Sequence, residues 1–392
     1  MARFIPVLTY QDTAVYFCCT QHVDKALAAS AVEQTYGAWR LGGARRDMEE
    51  KQALELLGGE GCPSMPPSCY NRSAWMRNWQ KYWKLLAANY EHADDEAWFA
   101  MFDIANFYDS VDLGRLETGI RAVGGNESFA INVLFDLLRS WNKALLLYAP
   151  NTKGLPMDLV GDCSRLLANF FLTPFDRSFR DYVRGSGGDF MRFADDMVVC
   201  AASEDKCQRF VYEASARLHD QGLNINVAKV RYCSKRDFER FWGFVIMDRF
   251  ESGELLGGLA ALHEVVRDDK FGRRSTALKR AITLIDQEPR LREWRIWVRE
   301  AVLETGLLLQ LSREQLLALL RLYDDPMTGL TLIIPDFLGQ PFTQPLAILL
   351  QVLKSFAKRP SAEVRDYCLS VVGRIEQRND PVLTVALTHL WN

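Results

Sequence analysis

Two adjacent aspartates stand between apolar, strand-like runs at Arg192-Phe193-Ala194-Asp195-Asp196-Met197-Val198-Val199, and a third closes the apolar run 97–104 at Asp103. Few folds tolerate this pattern. An ionised carboxylate at the end of a buried strand is costly unless something positive offsets its desolvation. Two neighbouring carboxylates at a hairpin tip resist joint ionisation unless a cation is bound. Strand alternation puts Phe99, Met101 and Asp103 on one face and Ala100, Phe102 and Ile104 on the other. Strands that bring Asp103 and Asp195 together make a site for Mg²⁺, whose octahedron is completed by hard oxygen ligands and substrate phosphates. Two such ions are the arrangement of two-metal phosphoryl transfer.

Composition bounds the rest. A chain of 392 residues predicts two or three domains at about 150 residues each. Hydrophobic residues make up 48% and charged residues 25%, ordinary for a globular protein, so a mostly disordered chain is excluded. Lys+Arg total 47 and Asp+Glu total 50, a net charge of −3. That excludes a strongly basic nucleic-acid coat protein, but not a local basic groove beside an acidic metal site. The first residues, MARFIPVLTYQDTAVYF, lack the long apolar core of a signal peptide. No run reaches the length of a membrane span, so no membrane association is expected. The nine cysteines are scattered. Cys62 and Cys69 lack a second ligand pair, which argues against a zinc knuckle, and reduced thiols in the cytoplasm are expected.

Residues 70–90 read as an amphipathic helix with Trp75, Trp79 and Trp83 in one stripe and Arg77, Lys81 and Lys84 on another face. A core-facing Trp seam with a solvated basic back gives the same pattern as a phosphate-binding face. Helices are expected over 113–123, 127–147, 164–183 and 205–221, two short strands over 190–200, and a strand hairpin over 238–247. Everything after about 258 reads as helical. Ser312 and Gln315 form a capping box before an apolar helix. The fold class is α+β.

Five segments occur in a telling order. They are Asp103 to Tyr108; Gly154-Leu155-Pro156 with Ser164-Arg165-Leu166-Leu167-Ala168-Asn169; Phe193 to Asp196; Gly222 to Lys229; and Phe241-Trp242-Gly243-Phe244. Together the set resembles reverse transcriptases across residues 99–245. The resemblance implies a right-hand polymerase: an N-terminal and fingers region over 1–95, a palm over 96–257, and an all-α, repeat-like C-terminal domain over 258–392 that is thumb-like or serves oligomerisation. It implies that Asp103, the backbone at Ile104, Asp195 and Asp196 hold two Mg²⁺ ions. Tyr108, beside Phe107, would lie under the incoming sugar and reject a 2′-hydroxyl, favouring dNTPs. Ser164 and Asn169 would line the nucleotide and template side, and Lys229 would protonate or neutralise the pyrophosphate leaving group. Arg192 would pair with a carboxylate or a phosphate.

The sequence departs from the family pattern in places. Met157-Asp158 follow Gly-Leu-Pro, and Ser164 falls ten residues after Gly154. The basic fingers segment is replaced by Tyr70-Asn71-Arg72 and the Trp stripe. Gly187-Gly188-Asp189-Phe190 superficially resembles the diguanylate cyclase signature but lacks its Glu and precedes the Asp-Asp hairpin, so it reads as a turn. This profile is similar to the bacterial abortive-infection and defence-associated reverse transcriptases. It implies antiphage defence, a noncoding RNA partner or template, a DNA product, a homo-oligomer and a second defence protein as a partner. Beyond the palm, Arg273, Arg274, Lys279 and Arg280 cluster, and Arg290 to Arg299 interleave with Trp294 and Trp297. With Arg72, Arg77 and Lys81, the first cluster is the expected grip on nucleic acid. Two other readings stay open: template-independent or protein-primed DNA synthesis at the same site, and an inactive palm kept as a nucleic-acid scaffold.

Overall fold

The computed structural model describes residues 8–39, 41, 72–125, 128–141, 154–156, 163–357, 361–378, 380, 383–384 and 387, with backbone alone for 72–77. The chain divides into two compact units, Met1–Phe238 and Glu239–Asn392. The sequence reading carries the palm further, to residue 257.

In the first unit, helix α1 (Tyr10–Ala29) is followed by the short strand β1 (Thr35–Tyr36), helix α2 (Arg72–His92) and strand β2 (Trp98–Phe102). Then come α3 (Phe107–Ser110), α4 (Leu113–Gly124), α5 (Phe129–Ser140), α6 (Cys163–Phe171) and α7 (Thr173–Gly185). The hairpin β3 (Asp189–Phe193) and β4 (Asp196–Ala201), helix α8 (Glu204–His219) and strand β5 (Arg231–Ser234) complete it. The sheet order is β1-β3-β4-β2-β5. Among the described strands, β1 beside β3 pairs in parallel and the other pairs are antiparallel.

The alternation read from β2 is realised. Ala100 and Phe102, with Met197, Val199 and Ala201 of β4, join the helices in one apolar core. On the other face Phe99 stacks on Phe238, with ring centroids 4.0 Å apart. Burying both faces explains why these strands are nearly continuous apolar runs. Among the described side chains of α2 the fully buried ones are Tyr82 and Leu86, whereas Trp79 and Trp83 of the expected stripe are half-buried. Trp79 is half-buried and meets the hairpin residue Phe193 edge-on at 5.0 Å.

Helix α9 (Lys235–Trp242) and α10 (Phe244–Ser252) replace the expected strand hairpin over 238–247. The period explains the correction. Phe238, Trp242, Ile246 and Phe250 recur every fourth residue and are all buried, with Glu239, Arg240, Asp248 and Arg249 between them. Gly243, at φ +64°, joins the two helices.

The second unit continues with α11 (Leu255–Val265), α12 (Arg274–Gln287), α13 (Arg295–Glu304), α14 (Arg313–Arg321), α15 (Pro326–Leu338), α16 (Thr343–Ala357) and α17 (Ala362–Glu376). Among the described residues it contains no strand. Its leucine-rich core runs from Ile246 to Leu387. The expected capping box is present at the start of α14, with both Ser312 and Gln315 engaged. Among the described residues, no helix is long and apolar enough to cross a membrane. Burial pushes the thiols of Cys200 and Cys207 up to about 12, which leaves neither a nucleophile.

Candidate active site

The acidic site forms where β2 and the β3–β4 hairpin end together. The β2–β4 ladder runs from Trp98↔Ala201 to Phe102↔Met197. One further step along both chains faces Asp103 with Asp196. The hairpin itself closes at Phe193↔Asp196, so Ala194 and Asp195 form its two-residue turn. Asp103 is buried, Asp195 half-buried and Asp196 exposed. Residues 103–105 are held by the segment after α8: Asn226 donates its backbone N–H to Asp103 O at 2.9 Å, and Ala105 donates to Asn224 O at 2.8 Å. Gly222, at φ +79°, makes the turn that starts this segment, and Leu223 and Ile225 anchor it in the core. A 3₁₀ turn over Val227–Lys229 then delivers Lys229 to the carboxylates.

Lys229 donates from Nζ to Asp103 Oδ2. That hydrogen bond, opposed by partial burial and helped by the negative field of Asp103, Asp196 and Asp195, raises its pKa above the ordinary lysine value. The ammonium offsets one of the three negative charges, that of Asp103, and the site stays net negative. Asp103 Oδ1, on the same carboxylate, is buried without a hydrogen-bond partner. A buried carboxylate oxygen in that state is a strong ligand for a hard cation. Among the described residues, no three His, Cys, Asp or Glu side chains close tightly enough to hold an ion. The donor set nevertheless fits Mg²⁺: two segments supply hard oxygens, and one of those oxygens is buried and unsatisfied.

The turn carrying Asp195 is strained and braced. Ala194 sits at φ +54°, a left-handed conformation unusual for a residue with a Cβ. Its N–H donates to Tyr36 O at 3.0 Å and its carbonyl accepts from Arg192 Nη1 at 2.6 Å. Arg192 has no exposed surface. Its guanidinium binds both oxygens of Asp176, at 2.8 and 2.5 Å, and Asn169 Oδ1 at 2.9 Å. Asn169 in turn donates to Ala38 O at 2.9 Å. Of the two partners expected for Arg192, a carboxylate or a phosphate, the fold supplies the carboxylate, and Asn169, expected beside the nucleotide, is buried. Arg192 and Asn169 lie in the interior, where they hold the hairpin, and a buried guanidinium needs this many acceptors. Burial drives the Asp176 carboxyl upward in pKa, against the pull of Arg192.

Ser164 is also interior, hydrogen-bonded to Tyr16 Oη at 2.8 Å and to Pro156 O. Phe107 is buried in the core, whereas its neighbour Tyr108 is half-buried, with ring centroids 5.7 Å apart. Ile104 is buried and bridges Ile225. Leu155 donates its N–H to Tyr108 O at 2.8 Å. A Cβ on Gly154 would fall onto that same carbonyl and within 2.8 Å of Asp109 O. The glycine of Gly-Leu-Pro is thus required by close approach to the segment carrying Tyr108.

The expected nucleic-acid contacts divide. Lys81 and Arg280 are exposed and Lys279 is half-buried, where burial lowers its pKa. Arg273 lies over the Trp242 ring at 3.9 Å, and Arg274 donates to Asp268 O at 2.8 Å, so both brace the loop before α12. The side chains of Arg72 and Arg77, with Trp75, lie outside the described residues, as do Tyr70, Asn71, Cys62, Cys69, Met157 and Asp158. Trp294 and Trp297 pack on the core of the second unit.

Sequence reasoning missed Asp176 and Tyr16. Asp176 carries a readable signal. It occupies one line of the α7 face with Leu172, Phe179 and Val183, all fully buried. A carboxylate in an apolar stripe demands a cationic partner.

No curated protein matches the chain. Residues 54–246 match the family model described as reverse transcriptase (RNA-dependent DNA polymerase). That span contains every element of the acidic site from β2 to Lys229. Over these residues the chain is similar to reverse transcriptases, and the match indicates a nucleotidyltransferase of the RNA-directed DNA polymerase class.

Proposed function

We propose that the chain extends DNA with dNTPs by two-metal phosphoryl transfer at Asp103, Asp195 and Asp196. The observation that carries this reading is the register that faces Asp103 with the hairpin tip while leaving Asp103 Oδ1 buried and unpartnered. Bound Mg²⁺ would acidify the attacking 3′-hydroxyl and neutralise the triphosphate. Asp103 and Asp195 supply its oxygens, with Asp196 beside them. Lys229, hydrogen-bonded to Asp103 among the carboxylates, would protonate or neutralise the departing pyrophosphate. Tyr108 lines the sugar pocket, held by its carbonyl against Leu155. Primer extension by purified protein tests the reading. Asp195→Ala and Asp103→Asn should each abolish dNTP incorporation while circular dichroism stays native. Full incorporation by both would overturn it.

The biological setting proposed is antiphage defence with a dedicated noncoding RNA. Support comes from the departures after Gly-Leu-Pro and from the all-helical second unit in the described residues. Sequencing the nucleic acid that copurifies with the chain tests this part. One recurrent RNA with matching complementary DNA is expected, and random cellular RNA would count against it.

A further inference from the structure

The two oxygens of Asp103 stand in different settings. Oδ1 is buried without a hydrogen-bond partner, while Oδ2 accepts from the Lys229 ammonium. The aspartate side chain is 5% exposed and the lysine side chain 56%, so the ammonium reaches the carboxylate from the solvent side. Among the described residues no other cation bonds Asp103.

The base of the lysine is fixed. Lys229 donates its backbone N–H to Asn226 O at 2.9 Å, and Asn226 donates to Asp103 O at 2.9 Å. Two backbone links thus tie the stem of Lys229 to the strand end that carries Asp103. Its head is a compact charge on a flexible four-carbon chain. A fixed base with a half-exposed head lets the ammonium leave Asp103 without any backbone movement. A reason to leave is built into the site. Oδ1 and Oδ2 belong to one carboxylate, so a divalent cation taken up on Oδ1 would face the ammonium on Oδ2 at close range, and like charges there repel strongly.

We propose that Lys229 is the counter-ion of Asp103 before a metal binds, and that it gives up Oδ2 when a divalent cation arrives. The inference rests on the two-metal reading of the carboxylates and adds an order to it. Lys229 is free to meet the departing pyrophosphate only after Asp103 has taken its cation. The coupling is reciprocal, so removing the ammonium must tighten the cation.

The test measures Mn²⁺ binding to the full chain, without nucleotide, from the free-ion signal in electron paramagnetic resonance. Asp103→Asn should lose binding. Lys229→Met should bind about tenfold more tightly than the parent protein, and Lys229→Arg, which keeps the cation, within about threefold of it. The gain should persist in about 0.5 M KCl, where fields between separated charges are screened but a contact is not. In EDTA, Lys229→Met should unfold about 2–4 °C below the parent, and Mg²⁺ should recover most of that loss. Lys229→Met binding Mn²⁺ no more tightly than the parent, while Asp103→Asn loses it, would overturn this inference alone. A gain that vanishes in high salt, or an unchanged Tm in EDTA, would overturn it as well. Mn²⁺ binding indifferent to Asp103 would overturn the two-metal reading along with it.

Discussion

The buried pair of Arg192 and Asp176 should separate folding from catalysis in this domain. Both side chains have no exposed surface, and the guanidinium meets the carboxylate through two bonds of 2.8 and 2.5 Å. Removing one partner strands a buried charge, at a cost of about 3–5 kcal/mol. In a domain of this size each kcal/mol moves Tm about 2–4 °C, so Arg192→Met should lower Tm by about 6–20 °C. The double variant Asp176→Leu/Arg192→Met removes both charges and should recover most of that loss. Asn169 Oδ1 and Ala194 O still lose a donor in it, a residual deficit of about 1–3 kcal/mol. Activity should behave differently. Ala194 at φ +54° carries about 1–2 kcal/mol of left-handed strain, and Arg192 is one of its two braces. Without it the turn relaxes and Asp195 leaves its position. Strain of about 1–2 kcal/mol corresponds to a fall in kcat of about 5- to 30-fold. The assay is single-nucleotide primer extension, run well below the Tm of each variant. Recovery of Tm and of kcat together in the double variant would refute the reasoning, because the pair would then serve folding alone.

Gly154→Ala should destabilise the domain by about 1–3 kcal/mol, because the added Cβ meets backbone at Tyr108 and Asp109 that cannot move aside cheaply. A lower urea midpoint with unchanged slope reads this out. Tyr108→Ala should lower the dNTP-over-NTP preference by about tenfold or more, the equivalent of about 1.4 kcal/mol lost from sugar discrimination, measured as a ratio of kcat/KM values. Glu117 on α4 joins Arg121 on its own helix and Arg139 on α5. Burial opposes its ionisation, but the hydrogen bonds and charges of the two arginines prevail and hold its pKa below the usual 4.5. A depressed carboxylate stabilises the fold above its unfolded pKa and loses that contribution as pH falls through the folded value. Glu117→Gln should therefore cost about 1 kcal/mol at pH 7, with the difference fading below pH ~4 in urea titrations.

The acidic strands were legible because their signal is local. Apolar alternation ending in Asp103, and two aspartates between apolar runs, specify strand and turn without knowledge of any distant residue. The helices α9 and α10 were misread because the short window over 238–247 shows aromatics at close spacing. Only the four-residue recurrence from Phe238 to Phe250 reveals the helical period. The roles of Arg192, Asn169 and Ser164 were not legible, since burial is decided by partners remote in sequence. Asn169 answers to Ala38, Ser164 to Tyr16, and Arg192 to Asp176. A polar residue beside a catalytic motif reads equally well as a ligand contact or a brace until its neighbours are known. The same holds for Arg273 and Arg274, basic in sequence but committed to Trp242 and Asp268 in the fold.

Both acidic segments carry a residue with a Cβ in the left-handed region, Asn106 at φ +46° and Ala194 at φ +54°. Such conformations cost about 1–3 kcal/mol each and persist only where the surroundings over-determine them. Each has its own restraint. Asn106 precedes α3, whose Tyr108 carbonyl is fixed by Leu155 against a backbone that only glycine allows to approach. Ala194 is fixed by Tyr36 and by Arg192, whose charge is met inside the core by Asp176. The Asp103 segment, Gly-Leu-Pro and the Asp-Asp turn are far apart in sequence, yet mechanically they are paired: each strained carboxylate segment is held by a separate buried clamp. Loosening either clamp should displace one aspartate while leaving the other in place. That makes the distance between them, rather than the stability of the fold, the quantity that these interior residues control.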